Sequence, residues 1–556
     1  MKTHHFVMLL STFFCHSLLA LPNKAEPTTN FNIIGYIQDF TVDNLSDPLS
    51  AAKITVNGIS IVIPKNLKIV MPGTYLTAND IFRGPHGTKD DTKTPVKKRS
   101  CIALNDRNNI DAICPKDQPE FPYTAEIVGN IVDNTYIAGL VNIGQIPLQT
   151  SGGFIKKICY EKSAECMMKG ELLVGPQKDN PLISGRVRLN DPEVNAQGGR
   201  FGAASLVEQD DRFKADQGNP TVHAATGYPV CIPRVDPASG NDALCPKSNR
   251  FGNAKRFTIG KKIASNRNGL PVSDAPICNT CEPHAMVPLA VGDYIIYSGT
   301  LEKDTKGTYI SAYSLEADLG IYTSPKTDPA YVFIEVSILG AGGTAFPGID
   351  QETGPGKVTP GQTLVTRFKI VGFTTDPSRN VDVFALDVKD AKSLDKAPRL
   401  LQSIPPEIKP PLGRFEVTVD QQVFMPPPRE IRAQIKDTAG KSDQDPASNG
   451  LEWGKYDAPV AEYIFPEGRV FGGKTPQPGL IPANFEDLCF LSVGFGPLDT
   501  LDRCPEANAD CPSIDANLPI VMPLAPWPAS EQLPIQTTPS KSTHQPPGIF
   551  CPQAKP

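Results

Sequence analysis

AAKITVNGISIVI, residues Ala51 to Ile63, is dominated by Ile, Val and Thr and carries Asn57-Gly58 at its centre. Branched side chains suit a pleated strand, and Asn and Gly suit the turn that reverses it, so strands joined by a turn are expected here. The same texture appears upstream at Ile33 to Phe40. It returns downstream at Tyr294 to Gly299, Tyr331 to Leu339, Leu364 to Phe373 and Arg414 to Val419. The chain of 556 residues holds 56 prolines and 45 glycines, which leaves little room for long helices. No stretch sustains a helical hydrophobic period, and the expected fold class is all-β.

An internal repeat organises the first half. Cys101-Ile102 followed by Asp111-Ala112-Ile113-Cys114-Pro115-Lys116 matches Cys231-Ile232 followed by Asp242-Ala243-Leu244-Cys245-Pro246-Lys247. The shared ends point to duplication of a module. Short strands with glycines at bends fit a five-stranded barrel of the oligonucleotide/oligosaccharide-binding (OB) shape. From about Tyr331 the alternating segments Leu364 to Phe373, Val381 to Val388, Arg414 to Val419 and Glu430 to Ile435 suggest an immunoglobulin-like β-sandwich. The expected organisation is a signal peptide at 1–20, then a first barrel-like module with its Cys loop at 21–122. A second, larger module with the repeated loop follows at 123–329, then the sandwich at 330–471 and a Pro- and Cys-rich tail at 472–556.

The N-terminal signature is Lys2, an apolar run through Phe13-Phe14, and Ser17-Leu18-Leu19-Ala20 before Leu21-Pro22. It predicts export, to the extracellular space or to the periplasm of a bacterium with two membranes. No later run approaches the roughly 20 apolar residues of a membrane helix, so no membrane insertion is expected. A formal charge of -6 gives no broad basic surface, which makes nucleic acid a poor partner. Lys97-Lys98-Arg99 is the one basic cluster, in a loop-like stretch open to processing.

Of the 13 cysteines, Cys15 falls in the predicted signal. The other twelve are an even set in an oxidising compartment: Cys101, Cys114, Cys159, Cys166, Cys231, Cys245, Cys278, Cys281, Cys489, Cys504, Cys511 and Cys551. Spacing suggests the pairs Cys101 with Cys114, Cys159 with Cys166, and Cys231 with Cys245. Asn44-Leu45-Ser46 is a candidate glycosylation sequon at Asn44.

Several segments resemble a family of secreted microbial β-rich proteins of unassigned function. They are Glu126 to Ile131 with Tyr136 to Val141, Gly185 to Pro192, Ala225 to Arg234, Gly372 to Val381, and Ala458 to Glu467. The resemblance spans Phe31 to Phe485 and implies no catalytic residue. Cys278 to His284 and the tail from Cys489 depart from it.

The search for chemistry is brief. Only His86, His223, His284 and His544 lie beyond the predicted signal, and neither Gly-x-Ser-x-Gly nor His-Glu-x-x-His occurs. His223, just before the second cysteine loop, suits a structural hydrogen bond better than catalysis. Asp293 suits a turn. Cys278, Cys281 and His284 have the ligand types for zinc, but no fourth ligand is evident and a disulfide is the expectation for the two thiols. Acids such as Asp210-Asp211, Asp387, Asp390 and Asp502 are scattered, and sequence does not give the separation a glycosidase pair needs. No cofactor is expected. These observations suggest a secreted, non-catalytic structural or binding protein whose partner is an extracellular protein or a glycan. A secreted hydrolase of glycans or peptides is one alternative. A secreted factor that binds a host or neighbouring-cell protein is another.

Overall fold

Asn57 and Gly58 both adopt positive φ, at 52° and 77°. Such a two-residue turn matches the twist of the strands it joins, and it sets Val56 opposite Ile59. In the computed structural model, residues 29–464 are described except 86–92, 108–113, 115–120, 133, 146–148, 192, 196–197, 203–209, 217, 272–274, 343–364, 389–393, 410, 421–428, 449 and 461. The protein is nearly all β, and its described α-helices are four residues long.

The first sheet joins β1 (Thr29–Val42), β2 (Ala52–Val56), β3 (Ile59–Ile63), β4 (Thr124–Val132) and β5 (Thr135–Gly144). Neighbours in the order β3-β2-β1-β4-β5 are antiparallel. A parallel contact of β3 with β5, at Ile61 with Tyr136 and Val62 with Ile137, closes the ring. Ile54, Val56, Ile61, Ile127 and Val141 fill its interior. Ile69–Val70 pairs with β5 and Tyr75–Leu76 pairs with Ile69–Val70, which makes the sheet seven-stranded, and the ring itself crosses residue 122, because β4 and β5 supply two of its five strands.

A second ring repeats this order. It consists of β6 (Gln149–Ile158), β7 (Leu172–Gly175), β8 (Gly185–Leu189), β9 (Tyr294–Asp304) and β10 (Gly307–Ala317). The ring runs β8-β7-β6-β9-β10 and closes through parallel pairing of β8 with β10 at Val187 with Ile310, Arg188 with Ser311 and Leu189 with Ala312, and Val222–Ala224 adds a sixth strand to the sheet beside β10. Five strands closed in this way form the barrel shape expected from the sequence, present twice. Each barrel places its repeated cysteine loop in the connection between its third and fourth strands, with Cys101 bonded to Cys114 and Cys231 to Cys245.

Two further four-stranded sheets follow. One runs β15-β12-β11-β18, from β11 (Val332–Gly342), β12 (Val365–Thr374), β15 (Arg414–Asp420) and β18 (Glu462–Ile464). The other runs β14-β13-β16-β17, from β13 (Val381–Val388), β14 (Lys396–Ile404), β16 (Glu430–Ile435) and β17 (Lys455–Pro459). Phe368, Ile370 and Phe415 of the first sheet share one core with Val383, Ile431 and Ala433 of the second.

Buried contacts lock these parts together. Ile137 and Leu140 of β5 enter the core of the paired sheets, with Val62 and Val128 packed beside them. The buried Lys68 ammonium also meets Glu430 of β16 at 3.4 Å. A 3₁₀ turn, Asp211–Phe213, reaches from the second barrel's long connection into the first barrel. There Phe213 stacks on Tyr123 at 4.4 Å and Arg212, fully buried, donates to the Ile81 carbonyl at 2.9 Å. Trp453, from the connection between β16 and β17, is buried in the core of the second barrel's module.

Candidate functional site

Along β8 the residues alternate, Arg186-Val187-Arg188-Leu189, so Val187 and Leu189 face the barrel core and the two arginines face outward. On that outer face both guanidiniums meet Glu171, which precedes β7, and Asp304, which ends β9. Arg186 binds Asp304 through two parallel hydrogen bonds at 2.9 and 2.8 Å and Glu171 at 2.9 Å. Arg188 binds Glu171 at 2.9 Å, contacts Asp304, and lies 3.8 Å above the Tyr309 ring. Glu171 is wholly buried and also accepts from the Met167 amide at 2.7 Å.

Two positive and two negative side chains thus neutralise one another. Burial alone would favour a neutral Asp304, but hydrogen bonds from Arg186, the Lys306 amide and Arg188 hold its carboxyl well below the usual range. On the same strand face Glu302 has the opposite fate: burial pushes it up to about 7, against a hydrogen bond with Thr300. The loops at this end of the barrel are tied to each other as well. The Lys306 ammonium donates to the carbonyls of Ser163 and Ala164, both at 2.9 Å, within the loop closed by Cys159–Cys166. The cluster is therefore a rigid, self-satisfied lattice.

The two described histidines, His223 and His284, fit no nucleophile–base arrangement. His223 is buried, tilts against Phe333 at 4.4 Å and hydrogen-bonds the Ala224 carbonyl through Nδ1 at 2.8 Å. Burial pushes its pKa down to about 4, leaving the ring neutral. His284 sits between two carboxylates, Nδ1 3.2 Å from Glu282 and Nε2 2.9 Å from Asp445. Burial opposes its charged form, yet these two acids raise its pKa. Its neighbours Cys278 and Cys281 are bonded to each other, so their thiolates are not available to a metal together with this imidazole. Among the described residues no group of three or more His, Cys, Asp or Glu side chains is placed to hold a metal ion.

Asp293 does more than shape a turn. It is buried, accepts two hydrogen bonds from Arg250 at 2.9 and 2.8 Å and one from the Ala290 amide at 2.9 Å, and meets Lys255 at 2.5 Å. It thereby anchors the long connection to the start of β9. Asp210 chelates Arg212, and Asp211 pairs with Lys214 at 2.5 Å, so both belong to the joint between the barrels. Asn44 is exposed in the β1–β2 loop, where its side-chain oxygen accepts from the Ser46 amide at 2.9 Å. Lys98 is exposed, whereas the Lys97 amide is tied to the Phe82 carbonyl at 2.7 Å. Cys489, Cys504, Cys511, Cys551, His86 and His544, together with the predicted signal and tail, lie outside the described residues, as do the side chains of Asp387, Asp390 and Asp502.

No family model and no curated protein matches this chain. The sequence resemblance accordingly transfers no role to any residue. The Arg186, Arg188, Glu171, Asp304 and Tyr309 lattice was not anticipated, although the Arg-x-Arg alternation of β8 marks an outward pair of charges once that strand is assigned to a barrel.

The two barrels treat equivalent surfaces differently. Val62 pairs with Ile137 across the first closure, and Arg188 pairs with Ser311 across the second. In the first barrel this face is apolar and is buried against the paired sheets. In the second it carries the arginine lattice. Among the described residues no helix is long and apolar enough to cross a membrane.

Proposed function

We propose that this chain is an exported, non-catalytic structural or binding protein. In this reading the two barrels arose by duplication, the C-terminal sheets form an immunoglobulin-like sandwich, and the partner is an extracellular protein or glycan. The observation that carries the reading is the division of labour between equivalent barrel faces. One is consumed in docking through Ile137 and Leu140, while the other is hardened by buried ion pairs. Such an arrangement suits a rigid platform that presents surface.

Four disulfides among the described residues fit an oxidising compartment. The absence of a base beside a nucleophile, among those residues, removes the usual support for hydrolysis. A hydrolase remains the rival reading because Glu302 is pushed up to about 7, a value suited to a general acid. Its neighbour Asp304, locked by two arginines, makes a weak partner for it.

The deciding experiment is capture from culture supernatant with the purified mature chain, run beside a hydrolysis screen on glycans and peptides. A retained partner without turnover is the expected result. Turnover that disappears in Glu302→Gln would replace the proposal with the hydrolase.

A further inference from the structure

At the opposite end of β9 from Asp304, the outer face formed with β6 has a different chemistry from the arginine lattice. Register pairs Thr150 with Ser298, Gly152 with Ile296, and Phe154 with Tyr294. All six positions face outward, because Ile155, Ile295 and Tyr297 between them are buried inward. The Phe154 and Tyr294 rings meet edge to face at 5.1 Å. Gly152 makes room for the tyrosine: a Cβ there would fall 2.5 Å from the Tyr294 hydroxyl oxygen, so this side chain lies along the strip. Ile296 is 45 % exposed in the middle, and the hydroxyls of Thr150 and Ser298 sit 2.7 Å apart at the far end. None of the six residues is charged.

The first barrel supplies an independent observation. Gly129 and Gly299 mark the same ladder shift in the fourth strands of the two barrels. Counting back five residues from each aligns Thr124 with Tyr294, and their partners Tyr36 with Phe154. An aromatic therefore stands at the same outward position in both barrels, and Tyr36 is 51 % exposed.

We propose that the Phe154–Tyr294–Ile296 strip with the Thr150–Ser298 hydroxyl pair is a binding site for a neutral oligosaccharide. The C–H face of a pyranose ring is apolar and packs on aromatic and aliphatic surface, while its rim of hydroxyls needs donors and acceptors beside that surface. The strip offers both, in a row about 13 Å long at the rise of an extended strand. The strip itself carries no charge and Glu316 stands directly across the ladder from Ile296, so uronic acids, phosphates and nucleic acid, which need cations, are disfavoured. This inference rests on the proposed binding role and names its ligand class.

The test is calorimetry with the full mature chain and three probes: a linear β-glucan hexaose, a linear α-glucan hexaose and an acidic hexauronate. One neutral hexaose is expected to bind and the hexauronate is not. Phe154→Ala and Ile296→Lys should each weaken that binding roughly tenfold or more with unchanged circular dichroism. Ile296→Lys serves as the second variant because its side chain is already exposed. Failure of both neutral probes at millimolar concentration, or binding that survives both variants, overturns the site. Loss of self-association in sedimentation, rather than of sugar binding, would assign the strip to contact between copies and also overturn it. Capture of a protein partner in those cases would leave the binding role standing.

Discussion

Gly129 and Gly299 perform the same task in the two barrels. At each the ladder between the fourth and fifth strands slips by one residue, and an added Cβ would come within 2.1 Å of the Ile137 carbonyl oxygen or 2.2 Å of that of Ser311. Only a residue without a side chain lets the strands approach this closely while the sheet coils into a ring. Gly129→Ala and Gly299→Ala should each destabilise the protein by about 1–3 kcal/mol, the usual effect of overpacking. Gly144→Ala is the control, since its Cβ would meet only Pro72 at 3.7 Å. Thermal unfolding of the three variants makes the comparison, and equal melting temperatures would contradict the role assigned to the two glycines.

Docking of the first barrel depends on Ile137 and Leu140, 2 % and 5 % exposed in a core they share with the paired sheets. Truncation leaves a cavity between modules, not inside one. Ile137→Ala should cost about 2–5 kcal/mol in urea unfolding. It should also open the 124–144 hairpin to limited proteolysis. Lost stability without new cleavage would mean that the first barrel collapses as a whole.

The sequence made the strands and the local disulfides legible because both are short-range signals. Asn57-Gly58 between branched residues specifies its hairpin, and Cys101 lies close enough to Cys114 for spacing to suggest the bond. Ring closure was harder to read, since it brings Ile61 to Tyr136 and Val187 to Ile310 across long connections. For the same reason a boundary at residue 122 is what the sequence suggests for the first module, whereas β4 and β5 close its ring from beyond that point. The arginine lattice was hidden further. Glu171 and Asp304 are unremarkable acids until the barrel folds them onto Arg186 and Arg188.

That lattice yields a stability prediction. Glu171 is fully buried and accepts from both arginines. Removing one partner leaves buried charge uncompensated, so Glu171→Ala should cost on the order of 3–5 kcal/mol. Arg188→Lys should fail to preserve stability, because lysine loses both the forked hydrogen bonding and the flat contact with Tyr309. Chemical denaturation measures both, and a loss within error for Glu171→Ala would show that solvent reaches the cluster.

The two described histidines impose opposite pH dependences. Burial lowers the folded pKa of His223 to about 4, against roughly 6.5 in an unfolded chain. Between those values the unfolded chain binds the extra proton, so this contribution is complete above about pH 6.5 and is lost as pH falls towards 4. The difference amounts to something on the order of 3 kcal/mol. His284 works the other way. Its folded pKa is raised by Asp445 and Glu282 against the effect of burial, so its contribution is complete below the unfolded value and fades as pH rises through the folded one. Glu302 and the fully buried Asp191, which follows β8 and accepts from the Arg200 and Phe201 amides at 3.0 and 2.6 Å, are both pushed up to about 7 by burial and add their own loss of stability as pH rises from about 4. The histidine contributions are therefore isolated by difference from variants. The stability gap between wild type and His223→Phe should widen, to the wild type's disadvantage, from pH 7 to pH 4.5. The gap for His284→Gln should shrink between pH 6 and pH 8.5. A gap for His223→Phe that stays constant across the acid range would show that the His223 ring gains its proton without leaving its place against Phe333.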